Sequence, residues 1–277
     1  MADIRIACGE DIPGLREIWS KIFGDSERFT ELFFSRLLPS AAVFAAVQDG
    51  LLIGSAYILD IFTLKNGADE LSCPYIYGVG VLPEFRGLGI GRQLTLACRD
   101  HCGEKYGQSC LVPAERRLFD YYERFTDYIP SFSVSEFELE PEVAALAEIS
   151  RISGEEYGGL REKLLSPLPH LKFSAAALSF LEGLCALSEG GLYLLKSADA
   201  CAVAACEDAD GELYIKELLC SDGNSRGFAA ALLWHLDYGS GSCRAPANEK
   251  HPESVKAFGM LSKSVKGGPF YFGPAFD

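Results

Sequence analysis

The sequence lacks several features that would each have pointed to a class. No apolar run reaches the roughly 18 residues that a membrane-spanning helix needs, so no membrane partner is expected. The N-terminus, Met1-Ala2-Asp3-Ile4-Arg5, has no basic stretch leading into an apolar one. No secretory leader is read there, and a cytoplasmic protein is expected. No Cys-x-x-Cys occurs, and the ten cysteines are scattered, several of them (Cys73, Cys110, Cys206, Cys220) inside apolar runs. Reduced, buried thiols account for that pattern better than a disulfide framework. Basic residues are outnumbered, 25 Lys and Arg against 39 Asp and Glu, for a net charge of −14. No basic stripe is visible for phosphate backbones, so no nucleic-acid partner is expected. The acidic balance suits a cationic substrate, and it equally suits plain solubility.

Histidine is scarce, with four in the chain. Cys98, His101 and Cys102 have spacings that share a helix face, which would gather three soft zinc ligands. No fourth ligand suggests itself, so packed small side chains are the preferred reading and no metal is expected. His170, His235 and His251 have no convincing partners in sequence.

What is present is a globular composition, 48% hydrophobic and 23% charged, which can fill a real core. A length of 277 residues fits one large domain or two ordinary ones. Leu15, Ile18, Trp19, Ile22 and Phe23 recur at helical spacing, as do Phe29, Leu32, Phe33, Arg36 and Leu37. They predict two helices over 11–38, with Pro13 in the first turn and Pro39 as the stop. Strand signals run over Ala42–Val47, Leu51–Leu64 and Leu71–Val81, separated by Asp49-Gly50 and Asn66-Gly67. Such dipeptides favour tight hairpin turns, so an antiparallel meander of three strands is predicted. A helix over about 89–102, a strand at 109–112, a helix at 115–125 and a closing strand or hairpin at 128–139 follow. The predicted order is β-α-α-β-β-β-α-β-α-β. Pro141 is read as opening a new helical stretch, placing a domain boundary near residue 140.

The second half echoes the first. Tyr75-Ile76, the run Arg86 to Gly91, and Ser109 to Glu115 are followed in the same order by Tyr214-Ile215, Arg226-Gly227-Phe228-Ala229-Ala230-Ala231, and Ser242 to Asn248. This is a candidate duplication. The later glycines of the first copy are alanines in the second.

Val79-Gly80-Val81-Leu82-Pro83 reads as a strand stopped by a proline that cannot donate to a ladder. Gly87, Gly89 and Gly91 then open a helix, and without a Cβ they let backbone N–H groups approach an anion. The helix N-terminus adds free N–H groups and the positive end of its dipole. Arg86 and Arg92 add charge, and Leu88 and Ile90 complete the run, so these residues form a pyrophosphate cradle. A Walker loop would need Gly-Lys-Ser/Thr, which is absent. A dinucleotide fold would need Gly-x-Gly-x-x-Gly after a first parallel strand. Here the glycines alternate and follow a meander.

With Arg86, Gly89 and Gly91 matching Arg/Gln-x-x-Gly-x-Gly/Ala, residues 3–130 resemble the GCN5-related N-acetyltransferase family. The tandem arrangement is similar to bacterial two-domain, Eis-like members, whose second domain keeps the fold and loses the cofactor loop. The resemblance implies an α/β (α+β) chain with two tandem acyl-CoA N-acyltransferase folds, each a mixed, mostly antiparallel sheet flanked by helices. Residues 1–140 would hold acetyl-CoA, and 141–277 would form the degenerate copy. It implies N-acetyl transfer to a primary amine of a small molecule or peptide. Pantetheine would bond to backbone at Val79, Gly80 and Val81, and one of those amides would stabilise the oxyanion. Tyr122-Glu123-Arg124-Phe125 resembles the family's Tyr-Glu-Lys-x-Gly-Phe and makes Tyr122 the proton donor to the CoA thiolate, with Tyr121 its rival. The match departs at Thr126-Asp127, where glycine is usual. Tyr75, Tyr77, Glu115 and the carboxylates of Asp277 are candidates for the general base. A non-catalytic acyl-CoA-binding module is the alternative, and a duplicated scaffold a weaker third.

Overall fold

Local chemistry places the first elements. In a computed structural model the described residues are 2–140, 148–166, 168–247, 254–262, 265 and 267–276. After β1 (Asp3–Ile6), helix α1 (Ile12–Phe23) has Pro13 in its first turn and stops at Gly24, whose φ of 70° is left-handed. Helix α2 (Glu27–Arg36) starts where Ser26 Oγ accepts the Phe29 N–H at 3.1 Å. The Asp49-Gly50 turn, with φ of 52° and 80°, joins β2 (Ala41–Gln48) to β3 (Leu51–Leu59).

The two longer apolar runs each break into two strands, so five strands stand where three were predicted. These are β2, β3, β4 (Phe62–Asn66), β5 (Asp69–Ser72) and β6 (Tyr75–Val81). The breaks fall at Asp60, whose carboxylate accepts the Ser72 hydroxyl at 3.0 Å, and at Pro74, which has no N–H. Helix α3 (Ile90–Tyr106) outruns its predicted end by a turn and closes on the left-handed Gly107. It buries Ile90, Leu94, Cys98 and Cys102 on one face. Then come β7 (Cys110–Leu111), α4 (Arg117–Glu123) and β8 (Tyr128–Leu139).

The later elements are β9 (Glu148–Arg151), α5 (Gly154–Leu165), β10 (His170–Phe173), α6 (Ala175–Leu187), β11 (Gly191–Lys196), β12 (Cys201–Ala209), β13 (Glu212–Cys220), α7 (Ser225–His235), β14 (Gly241–Pro246) and β15 (Val255–Ser262). Pro141 and the helix expected from it lie outside the described residues.

The chain forms two units. The first comprises Met1–Thr63, Leu71–Pro130 and Gly259–Lys266; the second comprises Leu64–Glu70, Ser131–Phe258 and Gly267–Asp277. In the first, strands run in the order β1-β2-β3-β6-β7, antiparallel except for the parallel β6–β7 pair. The end of β15 lies beyond β7, with Met260 opposite Leu111 and Leu261 opposite Cys110. In the second unit the order is β9-β11-β12-β13-β14, again antiparallel except for the parallel β13–β14 pair. There β8 lies beyond β14, with Ser135 opposite Ala245. Each unit therefore has its sixth strand from the other half of the sequence. The sheets are mixed and mostly antiparallel, flanked by helices, as the family resemblance implied.

Each unit has its own core. In the first, Ile76, Ile90, Leu94, Cys98, Leu111, Tyr128 and Met260 pack together. In the second, Leu195, Ile215, Leu218, Ala229, Leu232 and Cys243 do so. The C-terminal residues Phe270, Tyr271, Phe272 and Phe276 are buried in the second unit, where Phe276 packs edge-on against Phe180 with ring centroids 4.9 Å apart.

Candidate active site

The site is built around β6. Its parallel partner β7 pairs only at Tyr75–Cys110 and Ile76–Leu111, yet β6 continues to Val81. Tyr77 to Val81 thus run past the end of β7, leaving backbone N–H and C=O groups along one edge of an opening. On the other edge β6 is bulged. Ser55 faces Gly80 and Tyr57 faces Tyr77, so Gly78 and Val79 together oppose Ala56. Gly78 takes a φ of 58°, which a side chain would strain. A Cβ there would lie 2.9 Å from the Trp19 ring, and one at Gly80 would lie 2.9 Å from Ile22. These two glycines let α1 approach the strand.

Beyond Val81 a short turn at Pro83–Phe85 leads to the glycine run. Gly87 and Gly89 have φ of 80° and 77°, and an added Cβ at either meets nothing within 4 Å. Gly89 caps α3 in the left-handed conformation with no side chain bonded to the free N–H groups. The first turn of α3 therefore presents its donors and its dipole outward, beside glycines with no bulk over them. Ile90 is buried and anchors the turn, and Leu88 is 64% exposed. Val81 Cγ2 lies 3.8 Å from a Cβ built on Gly91. Arg86 bends back, its Nε donating to the Val81 carbonyl at 3.1 Å, which ties the turn to the strand end. Arg92 stacks its guanidinium 5.4 Å from the Phe125 ring centroid, which joins α3 to the segment after α4.

Tyr122, on α4, packs with Val79, Val81 and Phe85 against the same core cluster. Burial, reinforced by the neighbouring Tyr121 phenol, pushes its hydroxyl up to about 12. Among the described residues that hydroxyl has no hydrogen-bond partner. Tyr121 is more exposed, and its pKa is raised by burial. The departure at Thr126-Asp127 has a simple geometry. Thr126 Oγ1 donates to the Tyr122 carbonyl at 2.6 Å and accepts the Tyr128 N–H at 3.2 Å. The helix ends on a threonine hydroxyl, without the left-handed residue that glycine would supply.

The base candidates separate. Tyr75 is buried between Phe62 and Tyr77. Tyr77 is half-buried against Trp19 and Phe33. Glu115 is exposed and ion-paired with Arg117 at 2.6 Å. Asp277 lies outside the described residues, as does His251. His101 packs edge-on against Phe44, and Cys98 and Cys102 are sealed in the core. His170 is buried, with Nδ1 2.7 Å from the Leu168 carbonyl and Nε2 3.4 Å from Glu162.

The second unit has the same frame with different contents. Lys216 is the extra residue of a bulge on β13, between Ile215 opposite Cys206 and Glu217 opposite Ala205. Glu217 is fully buried and accepts from Arg161 Nε at 3.0 Å and from the Tyr157 hydroxyl. At the start of α7, Asn224 Oδ1 accepts the Gly227 N–H at 3.1 Å, so this helix caps itself where α3 is open. The alanines 229–231 are buried. Sequence reasoning missed both bulges and the self-cap. Gly78 in Tyr-Gly-Val-Gly-Val and Asn224 at the helix start were the available signals.

Comparisons with known proteins agree with this geometry. Residues 3–128 match the model of the acetyltransferase (GNAT) domain. No curated protein matches the chain. A probable N-acyltransferase from Enterococcus faecalis is similar over 94% of this chain and 72% of its own, at 13% identity and a TM-score of 0.71. A GCN5-related N-acetyltransferase from Anabaena variabilis gives the same coverages and TM-score at 16% identity. Eis1 from Mycobacterium abscessus matches over 95% of this chain and 74% of its own, at 15% identity and a TM-score of 0.65. The glycine-opened helix beside the shortened strand pairing thus lies within the stretch, residues 3–128, that matches the acetyltransferase (GNAT) domain, and the fold of the chain is similar to that of Eis1.

Proposed function

We propose that this chain transfers an acetyl group from acetyl-CoA to a primary amine of a small molecule or peptide. The observation that carries the reading is the end of the β6–β7 pairing at Ile76–Leu111, directly before an uncapped, glycine-lined helix start. Pantetheine amides have the spacing of a peptide strand and would pair with Val79, Gly80 and Val81. The diphosphate would sit on the amides of Gly87 to Gly91, with Arg92 beside it and Arg86 holding the turn. One amide at the bulge would donate to the oxyanion as the amine attacks the thioester carbonyl. The tetrahedral intermediate then expels CoA thiolate, and Tyr122, protonated at neutral pH, would supply its proton. The amine would first lose a proton to a base, for which Tyr75, Tyr77 and Glu115 are the described candidates.

The second half of the chain, residues 141–277, is read as a degenerate copy that binds no cofactor. Its element order and bulge support descent from the same fold. Asn224, bonded to the Gly227 N–H, takes up a donor at the helix start that a diphosphate would need, which supports this reading. A cytoplasmic setting is consistent with the absence, among the described residues, of any helix long and apolar enough to cross a membrane.

The test is calorimetry with acetyl-CoA, followed by a thiol-release assay against polyamines, aminoglycosides, amino acids and peptides. One acetyl-CoA per chain and release with at least one amine are expected. Two bound per chain would overturn the degenerate-copy reading. Binding without release across the panel would leave an acyl-CoA-binding module.

A further inference from the structure

Trp19 stands between an exposed carboxylate and the bulged strand. It is 1% exposed, and its ring packs against Phe33 at 4.4 Å between centroids, Tyr57 at 5.3 Å and Tyr77 at 5.9 Å. A buried indole N–H needs an acceptor. This one donates to Asp25 Oδ2 at 2.9 Å. Asp25 lies on the exposed link between α1 and α2, one residue after Gly24, whose left-handed φ of 70° ends α1 and turns the chain. The opposite edge of the ring lies against Gly78. A Cβ built there would stand 2.9 Å from Trp19 Cζ3 and 3.3 Å from Cη2. Gly78 belongs to the β6 bulge and has a φ of 58°. One rigid ring thus reaches from the Asp25 carboxylate to the backbone of the bulge.

The two ends of the ring depend on each other. The χ2 torsion of an aromatic side chain has two roughly opposed wells, which present the indole N–H to opposite sides. With the N–H at Asp25 the donor is satisfied by a charge-assisted bond. The reversed ring would bury it unpaired among apolar groups. Gly78, for its part, has no side chain to anchor it, and a bulge interrupts the ladder that would otherwise fix the strand. Its position is therefore set by what it rests on. We propose that Asp25 fixes the orientation of Trp19 and, through the ring, the position of Gly78 and Val79, which sets the aim of the amides beside the opening. Asp25 acts through Trp19 and Trp19 through the backbone of β6, so both are positioning residues. Their importance for acetyl transfer rests on the function proposed above, in which an amide at the bulge donates to the oxyanion, whereas the coupling of Asp25 to Gly78 does not.

The chain has two tryptophans, and the other, Trp234, is 71% exposed. In a Trp234→Phe background, the one indole N–H resonance in a nitrogen–proton correlation spectrum of the full chain is that of Trp19. Asp25→Ala removes the acceptor, and Asp25→Asn keeps an acceptor without the charge. In Asp25→Ala the indole resonance should move and exchange with solvent about tenfold faster. The amide resonances of Gly78 and Val79 should shift with it, and those of Leu94 and Cys98 on α3 should stay. Asp25→Asn should bring all of them back close to the parent. With an amine found in the thiol-release screen, Asp25→Ala should lower kcat about tenfold, a part of what a lost oxyanion donor costs, with acetyl-CoA affinity unchanged in titration. Asp25→Asn should recover most of that loss. Unmoved Gly78 and Val79 resonances in Asp25→Ala would overturn the coupling, and so would shifts spread equally over α3, which mark general destabilisation. Shifted resonances with unchanged kcat would overturn the positioning role. The spectra need no acetyl transfer, so a chain that releases no thiol would fail the proposed function and still decide the coupling.

Discussion

Gly89→Asp is the sharpest perturbation of the cofactor site, because the structure separates its effects on folding and on binding. Gly89 has a φ of 77°, and a side chain there meets nothing within 4 Å. Packing is therefore untouched. A non-glycine residue in left-handed backbone costs about 1–2 kcal/mol. A carboxylate at a helix N-terminus returns about 0.3–1 kcal/mol. The net loss of stability is about 0–2 kcal/mol, which for a chain of this size lowers Tm by a few degrees. Binding should suffer far more. Two like charges about 4 Å apart repel by about 1 kcal/mol in water and about 4 kcal/mol near a protein surface. At 1.4 kcal/mol per factor of ten, acetyl-CoA affinity should fall roughly five-fold to a thousand-fold. The assay is calorimetric titration with acetyl-CoA beside a thermal melt, with Gly89→Ala as the control for backbone strain without charge. Alanine should keep most of the affinity. If Gly89→Asp bound acetyl-CoA as the parent does while remaining folded, the diphosphate would not sit at the start of α3, and the site assignment would fail.

Three further outcomes are expected. Tyr122→Phe should lower kcat about a hundredfold, the usual scale for a lost general acid, with acetyl-CoA affinity unchanged in titration. Because burial raises the Tyr122 phenol to about 12, its donor form persists as pH rises and is lost only near that value. The parent's kcat profile should therefore show no alkaline fall from this group below about pH 11. Gly78→Ala forces a side chain into left-handed backbone 2.9 Å from Trp19, and should cost about 2–5 kcal/mol in denaturant unfolding. A fragment ending at residue 140 lacks the Gly259–Ser262 segment that pairs with β7, so it should elute as aggregate in size-exclusion chromatography, whereas a monomeric, cooperatively melting fragment would contradict the pairing.

Much of the frame was legible because it is written locally. Asp49-Gly50 specifies its own turn, Ser26 its own helix start, and the alternating glycines before Ile90 their own backbone. The strand breaks were harder, since Leu51–Leu64 is apolar throughout and only the bond between Asp60 and Ser72, twelve residues apart, shows why it divides. Gly78 reads as one more small residue in an alternating strand, and the bulge it makes becomes visible only against β3. The sequence echo of Arg226 to Ala231 pointed to a lost glycine loop. That the helix start is also filled depends on the rotamer of Asn224, which no pattern announces. That β8 closes one sheet and the end of β15 the other had no local signal, because periodicity places residues on faces and is silent about neighbours far along the chain.

That exchange sets a timetable for synthesis. Ordinarily an N-terminal domain can close while the rest of the chain is still being made. Here every residue of the glycine-lined helix start has emerged before residue 92, yet β7 keeps a bare edge until residues 259–262 have left the ribosome. The half that carries the glycine-lined site is thus completed late, and a chain broken off before residue 259 carries the site residues without the strand that closes their sheet.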